Sequence, residues 1–360
     1  MSNIGLEKFD AKEWYISNFH LFEKNLNGGQ VNSIHDIRKA ALTKFSELGF
    51  PTPRKEEWKY TNVAPILEHK FKIATEPTQL TTNALSKFVY EGLENNLVVF
   101  INGHFSAELS NFISKPKGFI VDSLKNVLLK RPDITKKYLG GIAAFHENSF
   151  TALNTAFTND GMFMFVPREM IFETPILILH LADARQSTFS THPRNLIVAE
   201  KGSQVQFIEC YHTITNATYF NNLVSEVYIA ENAKVKHIKI QEESEKAFHI
   251  ANTQIQQERN SVYTSVNIDL GGALVRNNMN IRLNAENCET NLFGFYQGSG
   301  TQHIDNHTFI DHAKPHCNSN ELYKGILDGK AKGVFSGKIM VRPDAQKTNA
   351  FQSNKTLLLT

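Results

Sequence analysis

The N-terminal part of the chain has the hydrophobic periodicity of an amphipathic helix. Between Ser33 and Gly49, apolar side chains recur every three or four residues, which places them on one helix face. Ser33 and Asp36 have a spacing that resembles a capping box, and Gly49 followed by Pro51 ends the pattern. Less regular patterns predict further helices at roughly residues 7–25 and 122–139. The apolar positions of the helix predicted between Ser33 and Gly49 are Ile34, Ile37, Ala41, Leu42, Phe45 and Leu48.

The remainder of the chain has the period of two that is typical of strands. Residues 97–105 form an apolar run that contains an Asn-Gly pair, which predicts a strand and a turn. After Phe150, Val, Ile, Thr and Phe alternate with polar residues almost to the end, and no helix is predicted there.

A repeat of about 28 residues runs through this second region. Glu200, Glu231, Glu258 and Glu286 are separated by 31, 27 and 28 residues, and each opens a small or polar turn before a strand. Helical repeats do not fit units without helices, and propeller blades run to about 40 residues or more. We therefore predict a mainly β fold: an α-rich N-terminal domain over residues 1–145 and a parallel β-helix over residues 146–360. An antiparallel sandwich with evenly spaced turns is the alternative.

Composition and charge exclude several classes of partner. The net charge is +2, from 38 basic and 36 acidic residues, which favours neither nucleic acid nor an anionic membrane. The three cysteines are odd in number and form no CxxC pair, which is typical of a reducing compartment. The polar N-terminus lacks a signal peptide, and no apolar run reaches the ~20 residues of a membrane span. We predict a cytoplasmic protein.

The densest group of potential metal ligands lies between residues 303 and 317. Four of the 14 histidines fall there, followed directly by Cys317. On a strand, histidines four residues apart lie ~13 Å from each other, too far to share one metal ion. A site assembled across neighbouring coils stays open, and its candidate ligands are His312, His316 and Cys317. Surface or turn histidines are the other interpretation.

No catalytic constellation accompanies this group, so we predict that the protein is not an enzyme. GxSxG, HExxH and P-loop motifs do not occur in the sequence. A β-helix enzyme acting on polysaccharides needs clustered carboxylates. Asp305 and Asp311 are the nearest candidates, whereas residues 242–245 (Glu-Glu-Ser-Glu) are interpreted as a solvated turn. A polysaccharide-active enzyme and a His/Cys metal-binding protein are retained as alternative functions. Cys210 and Cys288 are interpreted as buried small residues or turn residues.

Three motifs near the end of the chain resemble the shared core of the SufB/SufD family. They are Cys-Asn-Ser-Asn-Glu-Leu-Tyr-Lys-Gly-Ile at 317–326, Gly-Val-Phe-Ser-Gly at 333–337 and Ala-Gln-Lys-Thr-Asn-Ala at 345–350. Arg-Lys-Glu-Glu-Trp-Lys-Tyr-Thr at 54–61 is similar to the N-terminal motif of the SufD branch. Together they extend the resemblance over roughly residues 30–360.

The resemblance implies a fold and an assembly. It implies an N-terminal helical domain, a right-handed parallel β-helix, and a non-catalytic scaffold subunit for iron–sulfur cluster assembly. The implied partners are SufB and the ATPase SufC, with a cluster held transiently at the SufB–SufD interface. FAD is implied for the full complex, and no cofactor is assigned to this chain alone.

The family pattern also places features beyond the last residue of the sequence. A cluster-associated histidine and the helices that receive SufC would follow Thr360, so we expect a C-terminally shortened member without the C-terminal helical domain. The same β-helix edge that pairs with SufB could also pair with a second copy, which predicts a homodimer in isolation.

Overall fold

The computed structural model describes residues 9–26, 34–112 and 116–359. Its N-terminal part is built from short helices. Two single turns of 3₁₀ helix, Glu56–Trp58 and Ser86–Phe88, lie between them. The helices are α1 (Ala11–Asn25), α2 (His35–Leu48), α3 (Ala64–Leu67), α4 (Thr82–Leu85), α5 (Leu124–Lys130), α6 (Pro132–Tyr138) and α7 (Ser149–Phe157).

Short strands accompany the helices, and longer strands follow them. The short ones are β1 (Lys72–Ile73), β2 (Asn96–Ile101), β3 (His104–Phe105), β4 (Asn111–Phe112), β5 (Ile120–Ser123), β6 (Met162–Val166), β7 (Ile171–Ala182), β8 (Phe189–Thr191) and β9 (Arg194–Ala199). The coil strands are β10 (Gln204–Thr213), β11 (Phe220–Ile229), β12 (Lys234–Glu242), β13 (Phe248–Gln257), β14 (Val262–Asp269), β15 (Leu274–Leu283), β16 (Glu289–Gly298), β17 (His303–His312), β18 (Asn318–Leu327), β19 (Lys332–Val341) and β20 (Asn349–Leu358).

The long strands form two parallel sheets whose members alternate along the chain. One sheet runs β19-β17-β15-β13-β11-β9-β6-β5 and the other β20-β18-β16-β14-β12-β10-β7-β2-β3. The short end strands β5 and β3 are antiparallel to their neighbours. Each coil therefore contributes one strand to each sheet and stacks in parallel register on the previous coil. The result is a β-solenoid of about 7 turns. The predicted β-helix is confirmed, and the antiparallel sandwich was the wrong alternative.

One turn in each coil carries the repeat that the sequence displays. Asn232, Asn260 and Asn287 occupy left-handed backbone conformations with φ of 60°, 56° and 58°. Asparagine tolerates this region better than most side chains do. Asn260 Nδ2 donates to Asn232 Oδ1 at 3.0 Å, and Asn287 Nδ2 donates to Asn260 Oδ1 at 3.1 Å. The evenly spaced turns are thus joined by a ladder of amide side chains.

The helices cover one side of the first coils. Tyr15 of α1, Phe45 of α2 and Phe157 of α7 form edge-on aromatic contacts, with Tyr15 ring centroids 6.4 Å from Phe45 and 5.6 Å from Phe157. Phe150 of α7 packs against Phe220 of β11. These contacts join the helical layer to the sheet.

Two predictions about helices need correction. The helix expected at residues 122–139 is two helices, because Pro132 cannot continue α5 and instead begins α6. Residues after Phe150 were expected to contain no helix, yet α7 continues to Phe157. Its apolar residues are spaced as on one helix face, but the helix has only 9 residues and its polar positions are buried as well.

The other two predicted helices are confirmed as α1 and α2. The start of the first and the Ser33 capping box lie outside the described residues. The predicted domain boundary between residues 145 and 146 stays a prediction, and the pairing of β2 with β7 crosses it. Within the described part of the chain, no helix combines the length and apolar character needed to span a membrane.

Candidate functional site

The histidine-rich segment forms β17 and the turn into β18, so its histidines separate into different environments. His303 Nε2 lies 2.9 Å from Thr61 Oγ1, and His307 Nε2 lies 2.9 Å from Asp305 Oδ1. His312 is fully buried, whereas His316 is exposed. The strand conformation keeps His303 and His307 from acting as a pair on one ion.

His316 occupies the left-handed turn position of its coil. Its φ of 61° matches those of the asparagines in the preceding coils, and its backbone N–H donates to Gln346 O at 3.0 Å. The side chain projects from the turn rather than towards the interior. This geometry favours the turn interpretation of His316.

Cys317 and His312 lie on the other side of the same turn, inside the solenoid, and Cys288 joins them. Both cysteines are completely buried. Cys288 Sγ lies 3.1 Å and Cys317 Sγ 3.3 Å from the carbonyl oxygen of Ala285. His312 Nε2 lies 2.9 Å from Ser319 Oγ, and its Nδ1 has no hydrogen-bond partner among the described residues.

The two thiols influence each other. A hydrogen bond with Cys288 lowers the pKa of Cys317, and the imidazole of His312 lowers it further. The same hydrogen bond, together with burial, raises the pKa of Cys288. One thiol of the pair therefore holds its proton while the other releases it more easily.

The candidate metal ligands are therefore not gathered around one point. His312 and Cys317 are neighbours, but His316 projects away from them. Among the described residues, no group of three or more His, Cys, Asp or Glu side chains is arranged to hold a metal ion. The metal site formed by His312, His316 and Cys317 stays a prediction.

The N-terminal motif at residues 54–61 binds the side of the solenoid through a buried ion pair. The guanidinium of Arg276 lies 3.9 Å from the ring centroid of Trp58 and donates to Glu57 O at 2.8 Å. Its Nη1 donates to Asp305 Oδ2 at 2.6 Å, and Thr61 Oγ1 donates to the same oxygen. Trp58 and Thr61 are the buried residues of the motif, and both meet this pair.

Opposing effects set the charge of Asp305. Burial alone would raise its pKa, but the hydrogen bond from His307 and the positive charge of Arg276 lower it. Asp311, the other acid considered for glycoside chemistry, pairs with Arg342 at 2.6 Å. The two acids lie six residues apart on one strand, about 20 Å, so they do not flank a common bond.

The interior of the first coils contains a cluster of polar and ionisable side chains. Glu209 accepts hydrogen bonds from Tyr211 at 2.6 Å and Asn195 at 2.8 Å, and its Oε2 lies 2.9 Å from His237 Nε2. His180 Nε2 approaches Glu209 Oε1 to 3.3 Å. Burial alone would raise the pKa of Glu209, but these two imidazoles hold it well below its usual range.

A second part of this interior links a lysine to a glutamate through one imidazole. Lys239 Nζ donates to His249 Nε2 at 2.9 Å, and His249 Nδ1 lies 2.6 Å from Glu243 Oε2. Tyr219 donates to the other oxygen of Glu243 at 2.6 Å. Lys239 also donates to Asn277 Oδ1 at 2.7 Å. Each buried charge thus has a partner.

The protonation of this second group follows from burial. Burial lowers the pKa of Lys239 and of His249. Burial alone would raise the pKa of Glu243, but His249, Tyr219 and Gln241 lower it to about 2. The arrangement corresponds to a neutral His249 that donates from Nδ1 to the Glu243 carboxylate and accepts at Nε2.

Our interpretation of residues 242–245 as a solvated turn was therefore wrong for Glu243, which is buried. The sequence contains a signal for Glu209, because Val205, Phe207 and Tyr211 share its phase of the period-two pattern and assign it to the inward face. The same test fails from Val235 onward, because Ile238 and Ile240 lie on the opposite phase to Lys239 and Glu243.

Towards the C-terminus the burial pattern is different. We call the coil formed by β19 and β20 the terminal coil. No residue of either strand is buried. Phe351 and Leu358 are each 66% exposed, and Leu357 is 57% exposed. Phe351 and Leu357 lie on one phase of β20 and Leu358 lies on the other. An outer strand with exposed apolar side chains is typical of a contact surface.

Comparison with known proteins identifies the family. Residues 180–360 match the model described as SUF system FeS cluster assembly, SufBD core domain, and residues 9–178 match the SufBD protein N-terminal region. The chain belongs to the SufBD family.

Individual relatives agree with this. The Iron-sulfur cluster assembly SufBD family protein slr0076 of Synechocystis sp. is 34% identical over 343 residues, covering 93% of this chain and 75% of the relative. The Iron-sulfur cluster assembly protein SufD of Escherichia coli is 26% identical over 351 residues, covering 97% and 77%. SufD of Bacillus subtilis is 26% identical over 349 residues, covering 91% and 76%. The chain is thus an iron–sulfur cluster assembly protein of the SufBD family with homologues named SufD, as its motifs indicated.

Proposed function

We propose that this protein is the SufD-type scaffold subunit of a SufBCD complex and performs no catalysis of its own. It pairs with SufB through the terminal coil, is coupled to the ATPase SufC, and contributes one side of the interface at which a nascent cluster is held. The cluster is the cargo of this assembly rather than a resident cofactor.

The observation that carries this proposal is the exposure of the terminal coil. Its strands present outward backbone groups and the exposed side chains of Phe351, Leu357 and Leu358. A second β-helix can continue both sheets by adding its own coil in the same hydrogen-bonding direction. SufB is the natural occupant, because a partner with the same coil spacing matches both sheet edges at once.

The interior supports a scaffold rather than a reaction pocket. The ionisable side chains inside the first coils are hydrogen-bonded to one another. The recess beside them, lined by His180, Tyr211, Tyr219 and Glu243 among others, encloses only about 20 Å³, and a neighbouring recess encloses about 10 Å³. Pockets for drug-sized ligands span roughly 300–1,000 Å³.

FAD does not fit either recess, since a dinucleotide needs the upper part of that range. FAD is kept only as a proposed component of the full complex, and no step is assigned to it here.

Co-purification tests the proposal directly. The full chain is co-expressed with SufB and SufC from the same source, and a stable complex is expected. Leu358→Glu should reduce the recovered SufB at least tenfold, because it places an uncompensated charge in the contact.

A matched control comes from the opposite end of the same sheet. Ile171 is 59% exposed, similar to Leu357, and lies at the start of β7. Ile171→Glu should leave the recovery of SufB unchanged. Equal recovery with Leu358→Glu would exclude the terminal coil as the interface, and a wild-type chain that never binds SufB would overturn the whole proposal.

A further inference from the structure

In six successive coils, from the turn at Gly202 to the turn at Lys347, the residue that follows the left-handed position is small. These residues stack in register: Glu289 N donates to Ser261 O at 3.0 Å, Asn318 N to Cys288 O at 2.9 Å, and Asn349 N to Cys317 O at 3.1 Å. Limited space at the inner side of the turn explains the preference for small side chains. The column consists of Ser203, Ala233, Ser261, Cys288, Cys317 and Thr348.

Two successive members of this column are cysteines. Cys288 and Cys317 are both free thiols and completely buried. Neighbouring parallel strands lie about 4.8 Å apart, which falls within the 4.4–6.8 Å range of Cα separations that a disulfide requires. Their sulfur atoms approach one carbonyl oxygen, that of Ala285, at 3.1 and 3.3 Å, so the two side chains converge.

The requirement for a small residue explains each cysteine separately but not the pair. Serine and alanine satisfy the same position in the three coils before Cys288. Cys210 provides a contrast, since it lies in β10 outside this column and its Sγ is 3.8 Å from the hydroxyl of Tyr90.

We propose that Cys288 and Cys317 form a reversible oxidation site at which a peroxide links two successive coils by a disulfide. In the first step one thiol reacts with hydrogen peroxide to give a sulfenic acid and water. In the second, the other thiol attacks that sulfur, the S–S bond forms, and a second water leaves. The peroxide is reduced by two electrons and the thiol pair is oxidised by two.

The position of the two cysteines limits the size of the oxidant that can reach them. The residues directly before the two cysteines, Asn287 and His316, are exposed, so only the thickness of the turn separates the thiols from solvent. Hydrogen peroxide is small enough to pass during a local opening of this turn. A bulky disulfide reagent is too large to do so.

Mass spectrometry of the folded 360-residue chain tests the site. After exposure to hydrogen peroxide and alkylation of the remaining thiols, we expect loss of two hydrogen atoms and one linked peptide pair containing Cys288 and Cys317. Treatment with dithiothreitol should restore both thiols. The chemistry is measured without any partner, so its outcome is separate from that of the proposed function.

Three serine variants sharpen the test. Cys288→Ser and Cys317→Ser should fold, because Ser203 and Ser261 occupy equivalent positions, and both should lose the linked peptide. Cys210→Ser should keep it. Wild-type protein whose thiols stay unlinked, a link to Cys210, or single-cysteine oxidation that dithiothreitol does not reverse would each overturn the proposal.

Discussion

Strands β12 and β20 belong to the same sheet and have similar lengths, yet their environments are opposite. In β12 the side chains of Val235, His237 and Lys239 point inward and are buried. In β20 the corresponding phase contains Gln352, Asn354 and Leu358, and none of these residues is buried. Both strands hydrogen-bond to a preceding coil, but only β12 is followed by another coil in the structure. Burial in a solenoid is thus a property of neighbouring coils, and the alternation within one strand is insufficient to produce it.

The largest expected difference between the two regions concerns aromatic side chains. Phe207→Ala should lower the free energy of unfolding by about 3–5 kcal/mol, since it opens a cavity in a closed coil. Phe351→Ala, at an exposed position of the terminal coil, should change it by less than about 0.5 kcal/mol. Guanidinium titrations followed by circular dichroism measure both. Similar losses of unfolding free energy in the two variants would contradict the difference in burial between the two positions.

Ion pairs provide a second comparison. Arg276→Ala leaves Asp305 buried without its cation and releases the N-terminal motif, so we expect a loss of about 3–5 kcal/mol. Arg342→Ala breaks the Asp311 pair, in which the arginine is 45% exposed and screened by solvent, and should cost much less. Chemical denaturation of the two variants checks the order, and an equal cost would show that the Arg276 pair is not desolvated in solution.

The buried Glu243 should make the closed coils sensitive to acid. Its folded-state pKa of about 2 lies below the usual 4.5, so its contribution is present above pH 4.5 and is lost as the pH falls towards 2. Glu243→Gln should therefore be less stable than wild type by roughly 1–3 kcal/mol at neutral pH. This difference should shrink below pH 4.5, which denaturation at several pH values measures. A difference independent of pH would show that packing, and not charge, is responsible.

Glu321, one coil before β20, should behave in the opposite way. It is buried, accepts from Thr308 at 2.8 Å, and has no partner for Oε1 among the described residues; burial raises its pKa to about 7. Its ionisation therefore opposes folding, and wild-type stability should decrease as the pH rises from 4.5 through 7. Glu321→Gln should be more stable by roughly 1–2 kcal/mol at pH 8 and equal at pH 4. Lower stability of the variant at pH 8 would contradict this assignment.

The smallest expected effect is self-association of the isolated chain. The exposed strands of the terminal coil predict a weak homodimer at high concentration. Light scattering over a concentration series should show a rising mean mass for wild type and a constant mass for Leu358→Glu. If the chain stays monomeric at every concentration, the terminal coil does not bind a second copy of this chain.

The sequence alone determined the repeat, the parallel coil architecture and the family, because turn residues and alternation recur at fixed spacing. The left-handed turn positions hold asparagine in three successive coils and glycine in the one before them, so the turn is readable there, whereas His316 and Lys347 give no such signal. The buried helix α7 was missed because its 9 residues are fewer than the roughly 11–18 over which a helical period is recognised.

Only the tertiary structure decided which chemical groups meet. The contacts of Arg276 with Trp58 and Asp305, of Glu243 with His249, and of Cys288 with Cys317 join residues from different elements or coils. Their proximity depends on strand register, and one residue of slippage would turn each of these strands over. Local sequence determines the phase of a strand, but which coil lies beside it, and therefore which charges are paired and buried, follows only from the stacking of the whole chain.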